Sequence, residues 1–184
     1  MNIINIKTSN NWLEIKNCAL MTVGIQETDK EPTSEWKKKI LLAEHSPIRK
    51  LKISWTWIDI PYWVSVHFVR HKIGIEHFVR TQRTDRILID RDKLSQGQLI
   101  EHHCEANAQA IINISRKRLC NLASKETREA WEILLKGIKF IEPELYSCCV
   151  SDCIYRGGCK EFKSCGLWEK TIKKEINNIL DEKV

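Results

Sequence analysis

The sequence predicts an α+β fold that is mainly helical and contains a small antiparallel sheet. Residues 51 to 57 alternate between apolar and polar side chains, which is typical of a half-buried strand. In residues 12 to 23, 34 to 46 and 124 to 142, apolar side chains instead recur every three or four positions, which indicates amphipathic helices. The chain has 184 residues, enough for one domain with a buried core.

The N-terminal half contains three predicted helices and one predicted strand. The first helix covers residues 12 to 23, and Thr33 or Ser34 caps the second. The strand at residues 51 to 57 follows, and Pro61 suits the first turn of a third helix that runs to His71. Each of these boundaries rests on a residue type that favours a helix end or a turn.

The rest of the chain contains an extended or looped segment followed by three predicted helices. Residues 78 to 89 are expected to be extended or looped. Ser95 and Gln98 have the spacing of a capping box, which predicts one long helix through about Leu122. Another helix begins at Ser124, and the chain is again helical from about Leu167.

The sequence places His102, His103 and Cys104 on the predicted long helix. Neighbouring helical residues point in different directions, so these three side chains are not expected to share one metal ion. We therefore expect Cys104 in the core and the two histidines on a polar face or an interface.

The composition indicates a soluble chain with a preference for anionic partners. Lys and Arg number 30 and Asp and Glu number 24, which gives a formal net charge of +6. Such an excess favours nucleotides, nucleic acids or phosphorylated cofactors, although a merely soluble surface would explain it as well. No apolar run approaches the roughly 18 residues that a membrane span requires, and the N-terminus lacks the apolar core of a secretion signal. We expect a cytoplasmic protein with reduced thiols and no membrane partner.

Five cysteines are concentrated between residues 148 and 165, in a predicted cysteine-rich tail. We divide the chain into a main domain, residues 1 to 146, and this tail, residues 147 to 184. The predicted metal ligands are Cys149, Cys153, Cys159 and Cys165, with either Cys148 or Cys149 to spare. Four thiolates suit zinc or an iron–sulfur cluster, and the spacing leaves both open. Free thiols, or disulfides formed on oxidation, are the alternative.

The stretch "HFVRHKIGIEHFVRTQRTDR", residues 67 to 86, holds three histidines and four arginines beside apolar sequence. Arg70 and His71 come at the end of a predicted helix and can offer several donors to a phosphate or a polar heterocycle. The alternative is a solvated basic edge that forms ordinary surface ion pairs.

Two blocks of the chain resemble the flavin-dependent thymidylate synthases (the ThyX family). The first is "LLAEHSPIRKLKISWTWIDIPYWVSVHFVRHKIGIEHFVRTQR", in which the family's Arg-His-Arg reads Arg70-His71-Lys72 and its Ser-x-Arg reads Thr81-Gln82-Arg83. The second is "NISRKRLCNLASKETREAWEIL", which matches a family segment at Asn113 and at Trp131-Glu132-Ile133. The blocks cover residues 41 to 83 and 113 to 135.

The resemblance implies a flavoenzyme that methylates a pyrimidine nucleotide. In the family, reduced FAD delivers a hydride and methylenetetrahydrofolate supplies one carbon, so that deoxyuridylate becomes thymidylate; NADPH is the implied reductant. The implied FAD-binding residues are Ser46, Arg70, His71, Lys72 and Asn113. Gln82 and Arg83 are the implied nucleotide-binding residues. The family's sites form between the subunits of a homotetramer, so a homotetramer is expected here.

Several positions depart from the family pattern. Lys72 stands in place of an arginine and lacks its planar fork, and Ser124 aligns with an arginine that contacts the pyrimidine in the family. These departures leave a related pyrimidine modification open as the reaction. The alternative is a metal-stabilised nucleic-acid-binding or interaction module on a degenerate synthase scaffold. That alternative is less favoured, because arginine and aromatic residues rarely alternate outside residues 78 to 83.

Overall fold

A computed structural model of the chain describes residues 1 to 173 and contains a four-stranded antiparallel sheet. The strands are β1 (Asn2–Thr8), β2 (Lys52–Pro61), β3 (Ile75–Val79) and β4 (Leu99–Asn107). Their order across the sheet is β1-β2-β4-β3, and every neighbouring pair is antiparallel. The predicted α+β fold with a small antiparallel sheet is confirmed.

The described residues contain eight α-helices, which are numbered in chain order. They are α1 (Trp12–Thr22), α2 (Ser34–Leu42), α3 (Tyr62–Val69), α4 (Thr84–Ile87), α5 (Ala108–Arg118), α6 (Lys125–Ile141), α7 (Pro143–Cys148) and α8 (Asp152–Tyr155). Short 3₁₀ turns cover Ser46–Lys50 and Arg91–Lys93, and Trp168–Ile172 forms a π-helical turn. Within residues 1 to 173, no helix is long and apolar enough to cross a membrane.

The predicted long helix from Ser95 is wrong, because its first half is strand β4. In β4, buried side chains alternate with more exposed ones, and β2 and β3 pair with it on either side. The capping-box residues form only a turn, in which the amide of Gln98 donates to the carbonyl of Ser95 at 3.0 Å. Helix α5 begins only at Ala108, where the side chain of Asn107 caps it by accepting a hydrogen bond from the amide of Ala110 at 2.9 Å.

Strand β1 has no counterpart among the elements predicted from the sequence. This edge strand pairs with β2, and the register shifts between Ile4 and Lys7. Its exposed asparagines, Asn2 and Asn5, interrupt the alternation of apolar and polar residues that would predict a strand. The predicted helix that follows is confirmed as α1, which buries Trp12 and Ile15.

The core is built on aromatic side chains between the sheet and helices α3, α5 and α6. Trp55 meets Trp57 edge-on at 5.3 Å between ring centroids, and Trp57 stacks on Phe68 at 4.5 Å. Trp131 of α6 closes the group, and its indole N–H donates to Ser115 Oγ at 2.9 Å. The opposite side of the sheet is more open, since Phe78 is 61% exposed there. One face of the sheet is therefore buried under helices and the other faces solvent, which is common for antiparallel sheets.

The C-terminal part of the described chain returns to the main domain. Helix α7 packs against α2 and α6, and α8 packs against α5. Cys148 and Cys149 are buried in the same core cluster as the sheet residues. The predicted helix from Leu167 is present as the π-helical turn, and its continuation beyond residue 173 lies outside the described residues.

Candidate active site

A first cleft lies where the Ser46–Lys50 turn, the loop before β3 and the start of α5 meet. Its lining residues are Glu44, Arg49, Ile73, Gly74, Asn107, Gln109, Ala110 and Asn113. The cleft thus contains Asn113, one of the predicted FAD-binding residues. Another of them, Ser46, is exposed at the start of the adjoining turn. We call this space the α5 cleft.

A fixed carboxylate borders the α5 cleft. Gln109 Nε2 donates to Glu44 Oε2 at 2.5 Å, and Arg116 forms an ion pair with the same carboxylate. Burial alone would raise the pKa of Glu44, but the hydrogen bonds from Gln109 and Arg116 outweigh it and lower that pKa. Arg116 also lies over the ring of Tyr155, at 3.5 Å from its centroid. Glu44 is therefore ionised and held in one position at neutral pH.

Gly74 anchors the loop that carries Lys72 against the start of α5. Its carbonyl accepts a hydrogen bond from the amide of Asn107 at 2.8 Å, and its φ is +73°. A Cβ at this position would lie 2.5 Å from Asn107 Nδ2. Only glycine allows both the left-handed backbone and the close approach.

Arg70, His71 and Lys72 follow the end of α3, with Arg70 and Lys72 exposed and His71 half-buried. Arg118 Nε donates to His71 Nε2 at 2.9 Å, and a second nitrogen of Arg118 donates to the carbonyl of His67 at 2.6 Å. Burial, together with the charge of Arg118, lowers the pKa of His71 to about 4. His71 is thus neutral at physiological pH, and its proton lies on Nδ1.

A buried chain of hydrogen bonds leads from the core to the backbone of His71. Ser65 Oγ lies 3.0 Å from His102 Nδ1, and His102 Nε2 lies 3.0 Å from His77 Nδ1. His77 Nε2 is 2.8 Å from the carbonyl of His71. Cys104 Sγ lies 3.2 Å from His102 Nε2 and 3.3 Å from His77 Nδ1.

The carbonyl of His71 fixes the direction of this chain. A carbonyl only accepts, so His77 carries a proton on Nε2; in the neutral ring, its Nδ1 then accepts from His102. His102 then accepts from the hydroxyl of Ser65. Burial is the main cause that lowers the pKa of His102, to about 3. The ligand atoms of His77, His102 and Cys104 lie within 4.8 Å of one another, close enough for one metal ion, and in this structure hydrogen-bond contacts link all three.

This cluster is not predicted from the sequence, because the sequence pattern places residues 102 to 104 on a helix. In strand β4, His102 and Cys104 point to the same side of the sheet, two residues apart, and both are buried. The expected burial of Cys104 is confirmed, whereas the expected exposure of His102 is wrong. The sequence does contain one signal of a strand here: the apolar residues Ile100, Cys104 and Ala106 alternate with polar residues that include Glu101 and Glu105.

A second cleft lies beyond the C-terminal end of β3, beside the start of β4, and contains Gln82. It is lined by Arg80, Thr81, Gln82, Arg86, Ile87, Ile89, Leu94, Gln98, Leu99 and Ile100. Gln82 Nε2 is buried and has no hydrogen-bond partner within residues 1 to 173. We call this space the Gln82 cleft.

Arg83, the other predicted nucleotide-binding residue, does not line the Gln82 cleft. Its Nε donates to Asp85 Oδ1 at 2.9 Å and its terminal nitrogen to Asp85 Oδ2 at 2.7 Å, in an exposed bidentate pair. Of the two predicted nucleotide-binding residues, only Gln82 therefore lines this cleft. The guanidinium group of Arg83 is instead paired with the carboxylate of Asp85.

Three of the four predicted metal ligands come together, and the fourth lies elsewhere. Cys153, Cys159 and Cys165 line a common cavity with Cys120, which the sequence analysis did not select. Cys149 is buried in the core instead, where its thiol donates to the carbonyl of Leu145 at 3.3 Å. No spacing rule could have found Cys120, because it is far from the other three in sequence.

Comparison with solved structures shows the fold of the flavin-dependent thymidylate synthases. A Helicobacter pylori ThyX structure, complexed with FAD and dUMP, has a TM-score of 0.64 and 14% identity and covers 82% of this chain and 100% of its own. A second structure of that protein with FAD and dUMP gives a TM-score of 0.63, 13% identity and coverage of 80% and 99%. The UMP/dUMP methylase PolB from Streptomyces cacaoi, bound to 5-Br dUMP, gives a TM-score of 0.61, 12% identity and coverage of 80% and 94%.

Sequence comparison adds nothing to this result. No family model matches the chain, and no curated protein sequence matches it. The fold that the sequence motifs predicted is thus confirmed by structural similarity: this chain has the fold of the flavin-dependent thymidylate synthases.

Proposed function

We propose that the chain is an FAD-dependent enzyme that transfers a one-carbon unit to C5 of a pyrimidine nucleotide. The observation that carries the proposal is Gln82, whose buried amide nitrogen has no partner in the described chain and borders an open cleft. An unpaired buried donor is costly, at about 1–3 kcal/mol, unless a ligand accepts from it. A pyrimidine carbonyl is such an acceptor, and two solved structures of this fold were complexed with FAD and dUMP.

The α5 cleft suits the flavin. Arg49 and Asn113 line it, and the exposed cations Arg70 and Lys72 flank the adjoining loop. Cations and amides are the groups that bind a diphosphate and a polar ring system. His71, neutral and protonated on Nδ1, adds a donor that needs no counter-ion. Bound flavin would supply hydride transfer, while these side chains would bind and orient it.

The Gln82 cleft suits the nucleotide. Arg80 and Arg86 line it beside Gln82 and provide positive charge for a phosphate. Arg83 would join them only after releasing Asp85 from its bidentate pair. Methylenetetrahydrofolate and NADPH are the proposed co-substrates.

We also propose that the clefts are completed by other copies of the chain in a homotetramer. Large apolar side chains are exposed beside both clefts: Ile73, which lines the α5 cleft, is 90% exposed, and Leu88, beside the Gln82 cleft, is 91% exposed. In the proposed tetramer, other chains would cover these side chains. Light scattering of the purified protein would give the mass of four chains, and a monomeric mass would contradict this part of the proposal.

A binding experiment tests the flavin site. Titration of FAD, followed by flavin fluorescence, should give saturable binding to the native protein. Asn113→Ala and an Arg70→Ala/Lys72→Ala double variant should each bind about 10-fold to 100-fold more weakly, since hydrogen bonds to charged groups contribute about 1.5–3 kcal/mol. Lys125→Ala, an exposed cation at the start of α6, is the matched control and should bind normally.

An activity measurement then tests the reaction. The FAD-loaded protein is incubated with dUMP or UMP, methylenetetrahydrofolate and NADPH, and the nucleotide mass is measured. We expect the mass of a methyl group to be added, and loss of that product in Gln82→Ala. Tight FAD binding without any change in nucleotide mass would contradict the proposed reaction.

A further inference from the structure

A cavity near the C-terminal end of the described chain is lined by four cysteines from three separate places. Cys120 follows the end of α5, Cys153 lies in α8, and Cys159 and Cys165 lie in the irregular segment after α8. All four thiols are free, and the cavity's other walls include Leu167 and Trp168. The fold thus brings together half of the chain's eight cysteines.

Ion pairs hold the walls of this cavity in place. Lys117, in the last turn of α5, lies 3.6 Å from Asp152 and 3.3 Å from Glu161. Arg156 Nε donates to the same Asp152 at 3.0 Å. The end of α5, the start of α8 and the irregular segment are therefore joined around the four sulfurs.

The segment that carries three of these cysteines has no apolar core of its own. In the described chain, no hydrophobic side chain after Cys149 is buried, and Phe162 is fully exposed. Residues 157 to 166 contain no helix or strand. The left-handed backbone of Gly157 and Gly166, at φ +62° and +80°, turns the chain back toward Cys120. A segment without buried apolar surface requires another source of stability, and a structural metal is a common one in small units.

We propose that Cys120, Cys153, Cys159 and Cys165 together bind a thiophilic metal centre, which fastens the C-terminal segment to the end of α5. Four cysteine thiolates form the ligand set of structural zinc sites and of iron–sulfur clusters. Cys149, whose thiol is bonded to the carbonyl of Leu145, is not a ligand. The proposal stands independently of the flavin and nucleotide sites.

The four sulfurs lie further apart than the ligands of a single bound ion. Four thiolates bound to one zinc ion at 2.3 Å would lie about 3.8 Å from one another. In the described chain, the only set of three ligand atoms within 4.8 Å is that of His77, His102 and Cys104, so no three of the four sulfurs are that close. In an iron–sulfur cluster of the cubane type, each thiolate binds a different iron, and the sulfurs are held further apart.

Metal analysis of the full-length protein, purified without oxygen and without chelators, tests the site. The native protein should contain either iron with a matching amount of acid-labile sulfide, or about one zinc per chain. Iron with sulfide identifies a cluster; zinc identifies a single ion that draws the sulfurs together. Either result supports a metal centre at this site if the metal is lost in both Cys120→Ser and Cys153→Ser.

Two matched variants decide which cysteines bind. Cys149→Ala removes the thiol that sequence spacing selects, and Cys104→Ala removes the thiol of the histidine cluster; both should retain the full metal content. Retention of metal in Cys120→Ser together with its loss in Cys149→Ala would overturn the proposal. A native protein that stays metal-free after anaerobic addition of iron and sulfide, or of zinc, would overturn it as well.

A second measurement covers the case in which the serine variants fail to fold. Native protein is alkylated under non-denaturing conditions before and after removal of metal, and modified cysteines are identified by mass spectrometry. We expect Cys120, Cys153, Cys159 and Cys165 to become reactive together when the metal is removed, while Cys18 reacts equally in both states. Equal reactivity of the four before and after metal removal would contradict the proposed site.

Discussion

His77 Nδ1 lies 3.0 Å from His102 Nε2, and both nitrogens face the buried thiol of Cys104. With both rings neutral, His77 donates to the carbonyl of His71, and His102 donates to His77. A further proton on His102 would sit where the hydroxyl of Ser65 donates. The interior of the protein therefore opposes protonation of His102.

This opposition predicts a loss of stability in acid. Burial lowers the pKa of His102 to about 3 in the folded state, whereas an unfolded histidine titrates near 6.5. Between these values the unfolded chain binds the extra proton, so the free energy of unfolding falls as the pH decreases below about 6.5. From pH 7.5 to pH 5 we expect His102 to account for a loss of about 2 kcal/mol. Urea unfolding at both pH values measures it.

Two substitutions on β4 separate this effect from general acid sensitivity. His102→Gln should be less stable at pH 7.5, but its stability should change by about 2 kcal/mol less between the two pH values. His103→Gln, on the opposite face of the same strand, should keep the native pH dependence. An unchanged pH dependence in His102→Gln would contradict the assignment.

Glu142 is predicted to be important for stability. Its carboxylate accepts from the indole N–H of Trp12 at 2.9 Å and from the hydroxyl of Thr8 at 2.5 Å, and it is only 2% exposed. Glu142→Ala leaves two polar groups without partners, and we expect the free energy of unfolding to fall by about 3 kcal/mol. Glu144→Ala, in the first turn of α7, should change it by less than about 0.5 kcal/mol. Equal effects of the two substitutions would contradict this role.

Gly74 and Gly24 form a natural pair for testing the loop at the α5 cleft. Both have a left-handed backbone, at φ +73° and +71°, but a Cβ on Gly24 would meet nothing within 4 Å. Alanine at Gly24 should cost only backbone strain, about 1 kcal/mol. Alanine at Gly74 must also displace Asn107, so we expect a loss of about 3 kcal/mol by urea unfolding. Comparable losses at the two positions would show that the contact with Asn107 contributes little.

Asp85 is predicted to compete with a nucleotide for Arg83. Asp85→Asn should free the guanidinium and tighten dUMP binding about threefold, the effect of releasing an exposed ion pair. Arg83→Ala should weaken binding about 10-fold to 100-fold. Calorimetric titration measures both, and Lys93→Ala, an exposed cation paired with Asp90, is the control. Tighter binding in Arg83→Ala would exclude Arg83 from the nucleotide site.

The sequence was sufficient to predict elements whose signals are local. The apolar spacing of α6 and the alternation of Ile53, Trp55 and Trp57 are confirmed, because each reflects burial of one face. Strand β4 was missed for a physical reason. His102 is one of the buried positions of this strand, but a histidine is normally counted as polar. It can be buried here because Ser65 and His77, which are distant in sequence, form hydrogen bonds with it. The sequence alone therefore does not show that His102 belongs to the buried face.

The candidate site shows the same limit. The basic stretch and Asn113 were found from short motifs, and the structure places Asn113 and Gln82 at clefts. The pairing of Arg83 with Asp85 was not anticipated, although the residues are only two apart, because either side chain could have pointed elsewhere. Cys120 joins the other cysteines only through the packing of α8 on α5.

Strand β4 places His102 and Cys104 inside and Glu101, His103 and Glu105 toward solvent. Because side chains alternate, deletion of a single residue within this strand would exchange the two sets. Two carboxylates would then face the tryptophans, and the histidine chain to His71 would be broken at once. The length of this strand is therefore under tighter constraint than its composition, and substitutions there should be tolerated more readily than any insertion or deletion.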